Sequence, residues 1–179
     1  MKFNIETAGE KHCSYAEEIC REMEESAKIR GTGIARRNQN YVEIKMCEGQ
    51  AVIALDEENH FAGFSYIECW SHESFVANSG LIVNPKYRKS GLARQIKKRI
   101  FELSRLKFPD AKIFSITTSL AVLKLNSELG YKPVTFSELT NDEEFWKGCE
   151  ACVNYDILQR NDSRMCLCTG MLYDPTKIK

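Results

Sequence analysis

Residues 81–106 read LIVNPKYRKSGLARQIKKRIFELSRL, and this stretch decides the fold. An apolar strand end, Leu81-Ile82-Val83, runs into a turn at Asn84-Pro85, then a short basic loop, then an amphipathic helix. Leu92, Ile96, Ile100 and Leu103 recur at helical spacing, while Arg94, Lys97, Lys98, Glu102 and Arg105 fill the other face. The helix is expected to start near Gly91, with Arg88, Lys89, Ser90, Gly91, Leu92 and Ala93 at its N-terminus. The first N–H groups of a helix have no intrahelical partner and the macrodipole is positive there, so a phosphate or pyrophosphate is stabilised if the backbone can approach it. Gly91 permits that approach. Arg94, Lys97 and Lys98 either assist with phosphates or form the solvated face that such a helix normally carries.

A chain of 179 residues, 43% hydrophobic and 28% charged, has the makings of one soluble domain spanning residues 1–179. Lysine and arginine total 25, as do aspartate and glutamate, so no global field points to nucleic acid or an anionic membrane. The start, MKFNIETAGEKHC, has no run of signal-peptide length, and the longest apolar run, Ala51 to Leu55, is too short to cross a bilayer. A cytoplasmic location is expected, with the eight cysteines reduced. Cys13, Cys20, Cys47 and Cys69 are expected to behave as small apolar side chains.

Phe3 to Thr7 suits an edge strand, and Lys11 to Lys28 a helix with Ala16, Ile19, Cys20, Met23 and Ala27 on one stripe. A glycine-containing break carrying Arg30, Arg36 and Arg37 separates it from a second helix, Gln39 to Glu48. Ala51 to Leu55 and Phe61 to Trp70 form a hairpin, followed by a strand from Ala77 to Val83, a strand from Ile113 to Thr118, and a helix from Leu120 to Leu129 closed by Gly130. Val134 to Leu139 reads as strand, Asp142 to Lys147 as short helix or loop, and Asn154 to Leu158 and Cys166 to Tyr173 as late strands. Early hairpins with late crossover helices predict an α+β fold: a mixed, mostly antiparallel sheet of about six to seven strands with helices on both faces.

The run Val83-Asn84-Pro85-Lys86-Tyr87-Arg88-Lys89-Ser90-Gly91-Leu92-Ala93 resembles the acyl-CoA-binding motif of the GNAT superfamily of N-acyltransferases, Arg/Gln-x-x-Gly-x-Gly/Ala after a Val-x-Pro turn. Leu123-Lys124-Leu125-Asn126-Ser127-Glu128-Leu129-Gly130-Tyr131 is similar to the family's Leu-Tyr-x-x-Leu-Gly-Phe ending, and the element order resembles the GNAT fold over essentially the whole chain. The resemblance implies acetyl-CoA as co-substrate. It makes Arg88 to Ala93 the pyrophosphate cradle, with charge-assisted bonds from Arg88 and Lys89. Leu81, Ile82 and Val83 would then supply backbone groups to the pantetheine arm, where the family's sheet splays.

Two family features are missing. Asn126 stands where many members place the tyrosine that protonates the leaving thiolate, although its amide can still hydrogen-bond CoA or a water. Ala77 stands where the usual strand glutamate falls, with Asn78 and Ser79 uncharged beside it. Side-chain alternation puts Glu68 on one face with Phe64, Tyr66 and Trp70. A carboxylate among aromatic groups is the expected base for an ammonium substrate, with His72 and Glu73 as weaker alternatives.

Arg36 and Arg37, with Arg30, lie on the loop that borders the acceptor side in GNAT proteins, and arginine forks match carboxylates, so an amino-acid-like acceptor is expected. The whole chain, including IARRNQNYV and the ending MCLCTGMLYDP, also resembles a bacterial GNAT subgroup associated with amino-acid biosynthesis, which implies glutamate-like acceptors first. Cys149-x-x-Cys152 and Cys166-x-Cys168 offer two close pairs for zinc, but the second spacing is shorter than a usual knuckle. No metal is expected at Cys149, Cys152, Cys166 and Cys168, and zinc is the alternative. The expected activity is transfer of an acetyl group from acetyl-CoA to a primary amine of a small carboxylate-bearing molecule, in a monomer or a homodimer. The alternatives are a non-catalytic acyl-CoA-binding regulatory module and a protein lysine or N-terminal acetyltransferase.

Overall fold

The computed structural model describes residues 2–30 and 37–177, except the side chain of Arg30. The chain runs β1 (Asn4–Thr7), α1 (Ala16–Arg30), α2 (Gln39–Cys47), β2 (Ala51–Leu55), β3 (Phe61–Trp70), β4 (Phe75–Val83), α3 (Leu92–Lys107), β5 (Lys112–Thr117), α4 (Leu120–Glu128), β6 (Lys132–Val134), α5 (Glu143–Lys147), α6 (Tyr155–Gln159) and β7 (Thr169–Tyr173). The strands form one seven-stranded sheet in the order β1-β2-β3-β4-β5-β7-β6. Only β4 and β5 pair in parallel, so the sheet is mixed and mostly antiparallel as expected.

Helices cover both faces. On one, Ile19 and Met23 of α1 and Val42 and Met46 of α2 pack with Phe64 and Tyr66. On the other, Leu92, Ile96, Ile100 and Leu103 of α3 pack on Ile67, Val76 and Ile113. Each such aliphatic side chain contributes roughly 1.5–3 kcal/mol through burial, which is what holds α3 and the loop before it in place. Among the described residues no helix is long and apolar enough to cross a membrane.

The late segments depart from expectation. The strand predicted over Val134 to Leu139 stops at Val134. There Thr135 N–H donates to Glu138 Oε1 at 3.1 Å and closes a 3-10 turn over Phe136–Glu138. Asn154 to Leu158 is not a strand but the start of α6, and β7 begins only at Thr169, which leaves Cys166 and Cys168 in the loop before it. The predicted first helix begins as a 3-10 turn, Glu10–Tyr15, in which Gly9 N–H donates to His12 Nδ1 at 3.1 Å.

Two backbone features shape the sheet's centre. β4 pairs with β5 only from Phe75 to Ala77, so the strands part beyond Ala77 and the β5-facing edge of β4 has no partner strand there among the described residues. On the other edge, Phe64 pairs with Ile82 and Tyr66 with Ser79, so Gly80 and Leu81 together face Ser65 in a bulge. Gly80 sits at φ +62, and a Cβ there would lie 2.4 Å from Tyr66 Cε1, so only glycine fits.

Candidate active site

A cavity of about 580 Å³ opens where β4 and β5 part. Ser79, Gly80 and Leu81 form one wall and Ser115, Ile116 and Thr117 the other, so a thin chain with amide groups can lie along exposed strand edges. Leu81 lines this space. Ile82 and Val83 do not: Ile82 is buried on the α1/α2 side, and Val83 O accepts from Arg88 Nε at 3.4 Å.

The loop before α3 has the form of an anion cradle. Gly91 is the N-cap at φ +81 and has no side chain to compete for the first-turn N–H groups, and nothing lies within 4 Å of a Cβ built there. Lys89 is at φ 66. The side chains of Arg88 and Ser90 are already engaged, Arg88 Nη2 with Ser26 Oγ at 2.9 Å and Ser90 Oγ with Tyr87 O at 2.7 Å. An anion at this loop would therefore meet chiefly backbone N–H groups, while Leu92 is buried beneath it in the core.

Glu68 lies on the cavity wall, 7% exposed. Its surroundings correct the picture of a carboxylate among aromatic rings: Tyr41 Oη donates to Oε1 at 2.8 Å, Ser79 Oγ donates to Oε2, and Arg37 Nη2 stands 3.8 Å from Oε2. Arg37 Nε also donates to Tyr66 Oη. Burial, reinforced by Glu68, raises both Tyr41 and Tyr66, so both phenols stay protonated donors. Burial opposes the charge on Arg37, but Tyr66 and Glu68 outweigh it and raise the guanidinium's pKa. Arg37, Tyr41 and Glu68 thus form a polar corner on the α1/α2 side. Arg36 and the Arg30 side chain lie outside the described residues. His72 and Glu73 sit in a tight turn at φ 52 and 63 and do not line the cavity.

On the α3 side the sequence misled. Lys97, assigned to a solvated face, is 2% exposed. Its Nζ donates to Asn78 Oδ1 at 3.3 Å and lies 5.0 Å from the centre of the Tyr131 ring. Tyr131 Oη donates to the same oxygen at 3.1 Å, and Asn78 Nδ2 donates to Ser104 Oγ at 2.7 Å. Burial lowers Lys97 to about 7. Asn126 is fully buried with both side-chain amide atoms unpartnered, and it does not line the cavity, whereas Ser119 and Val122 of the same region do.

All four late cysteines line the cavity, as do Trp70 and Phe145. Among the described residues, only Asp56, Glu58 and His60 bring three ligand atoms within 4.8 Å of one another. They belong to the β2–β3 turn, where Asp56 Oδ2 already accepts from Tyr87 Oη at 2.5 Å.

No protein-family model matches the sequence, and no curated protein matches it. Solved structures do. A GNAT-family acetyltransferase from Staphylococcus aureus Mu50 superposes with a TM-score of 0.69 at 11% identity, over 97% of this chain and 99% of that one. Rv2747 from Mycobacterium tuberculosis, in complex with CoA and NLQ, gives 0.67 at 14% over 96% and 98%. N-acetylglutamate synthase from Neisseria gonorrhoeae, in complex with CoA and N-acetyl-glutamate, gives 0.66 at 14% over 97% of this chain but 35% of that one, so the chain spans about a third of the synthase. At these identities the likeness establishes the fold, which is that of the GNAT acetyltransferases.

Proposed function

On a GNAT fold whose splayed strands hold this polar corner, we propose that the protein transfers an acetyl group from acetyl-CoA to the primary amine of a small carboxylate-bearing molecule such as an amino acid. The pyrophosphate rests on the N-terminus of α3, and the pantetheine arm runs between β4 and β5 along Ser79 to Leu81. The amine enters from the α1/α2 side. Glu68 takes a proton from the ammonium group, directly or through water, and Arg37 meets the carboxylate. The amine lone pair attacks the thioester carbonyl, a β4 backbone N–H stabilises the oxyanion, and collapse breaks the C–S bond. The nitrogen, cationic after attack, gives up its second proton, which the thiolate takes up through water as it leaves as CoA. Aligning amine and thioester supplies most of the rate, so the missing tyrosine and strand glutamate leave the reaction class standing.

The observation that carries this reading is the placement of Glu68 on the cavity wall with Tyr41, Ser79 and Arg37 around it. N-acetyl-glutamate and CoA bound together in the gonococcal synthase support an amino-acid acceptor. Thiol release from acetyl-CoA, measured with amino acids, polyamines and lysine peptides, tests it. Glu68→Gln is expected to lower kcat about 100-fold with CoA affinity unchanged. Faster acylation of a polyamine or peptide than of any amino acid overturns the acceptor. Tight CoA binding with no thiol release from any amine favours the regulatory module instead.

A further inference from the structure

Between Gly148 and Cys168 the chain has little regular secondary structure. It contains one five-residue helix, α6, and two non-glycine residues, Asp162 and Ser163, at φ 49 and 58. Val153, Met165 and Leu167 stand exposed at 70%, 62% and 62%. The segment's anchorage to the rest of the domain is Leu158, buried against Phe114, Phe136 and Leu139, with Tyr155, Cys149, Cys166 and Cys168 packed beside it.

What it does contain is four free, half-buried cysteines, a C-x-x-C pair at one end and a C-x-C pair at the other. All four line the same cavity. Asn154 links the two ends: its N–H donates to Cys152 Sγ at 3.5 Å, and Cys166 Sγ donates to its carbonyl at 3.8 Å. Sulfurs distant in sequence are thus tied to one residue and one cavity.

We infer that Cys149, Cys152, Cys166 and Cys168 are the ligands of a structural metal site that takes one soft divalent cation, zinc, and staples this segment. Thiolate sulfur selects soft ions, and a closed four-sulfur tetrahedron suits a d¹⁰ ion with no geometric demand of its own. On binding, each S–H loses its proton as an S–Zn bond forms. Four protons are released and no oxidation state changes. In a closed tetrahedron the sulfurs stand roughly 3.8 Å apart, from a Zn–S bond of about 2.3 Å. Here no three of them fall within 4.8 Å of one another, so the cation must draw the cluster inward. The placement of Cys166 and Cys168 in a loop makes that closure feasible, because loop backbone can aim both sulfurs at one point where a strand would hold them rigidly.

The site does not depend on the acetyl-transfer reading. Titrating the reduced full-length protein with Co²⁺ tests it. The expected result is about one equivalent bound, with the visible bands of tetrahedral cobalt and near-ultraviolet sulfur-to-cobalt charge transfer, both removed by Zn²⁺. Cys149→Ser and Cys168→Ser should each abolish the signal, and Cys13→Ser should keep it. Should the serine variants fail to fold, alkylation of the wild type decides: Zn²⁺ should shield four cysteines from iodoacetamide as counted by mass spectrometry. A featureless cobalt titration, four thiols alkylated equally with and without Zn²⁺, or four thiols found as disulfides in the protein as isolated, would each overturn the site.

Discussion

Lys97→Met removes a buried amine while nearly keeping its volume, and its consequence can be worked out from the structure. Burial holds Lys97 at about 7 against its ordinary 10.5. A base whose folded pKa lies below its unfolded one is held more weakly by the native state, so between those values the unfolded chain carries the extra proton. Stability therefore rises with pH through that window, by up to about 1.4 kcal/mol per pH unit, and by about 2 kcal/mol in all from pH 7 to pH 9. Below pH 7 the cost is fully present, offset in part by Asn78 Oδ1 and the Tyr131 ring. Tyr131, raised well above its ordinary value by burial and Tyr173, stays neutral throughout. Urea unfolding of both proteins at pH 7, 8 and 9, with m-values compared, should show wild-type stability climbing by about 2 kcal/mol relative to the variant. Parallel profiles would mean that Lys97 titrates as a solvated lysine and that α3 packs differently.

Gly91→Glu should abolish CoA binding by calorimetry and leave the circular dichroism unchanged, because a side chain and a negative charge would enter the open space at the N-terminus of α3. The left-handed backbone adds a stability cost of about 1–3 kcal/mol, and unchanged CoA affinity would remove the cradle from the loop. Asn126→Leu replaces an amide whose two polar atoms are buried and unpartnered, so unfolding free energy should rise by about 1–3 kcal/mol with CoA affinity unaltered. A loss of CoA affinity there would show that the amide serves the ligand after all.

Much of the architecture was legible because it rests on local signals. Leu92, Ile96, Ile100 and Leu103 announce α3 by period alone, and Gly91 announces its start. The C-terminal third was harder. Thr135 and Glu138 close a turn where apolar residues suggest a strand, and in the 154–158 segment the turn-and-helix hydrogen bonds of Asn154 and Cys152 win over β propensity. Lys97 was misread for a different reason. Helical period assigns a face, but not how far the sheet extends beneath that face, and here Asn78 of β4 reaches up to meet the amine. Tyr41 gave no signal at all: it lies on α2, and only folding brings its hydroxyl to a carboxylate on β3.

The clearest case of a site made by pairing is Glu68 itself. Its direct neighbour in register is Ala77, where the family's usual glutamate is missing, so β4 offers no second carboxylate to repel it. A small side chain at Ala77 leaves room above the strand. The bulge at Gly80 and Leu81 then sets which β4 residue stands across from Tyr66, and that residue is Ser79, whose hydroxyl donates to Glu68. Without the bulge the register beyond it would slip by one and turn Ser79 to the α3 face. Gly80, fitted against Tyr66 where no Cβ has room, therefore fixes the donor of the proposed base and also the point at which β4 meets the opening beside β5. One backbone irregularity thus couples the place where a thioester would lie to the carboxylate that would receive the amine's proton.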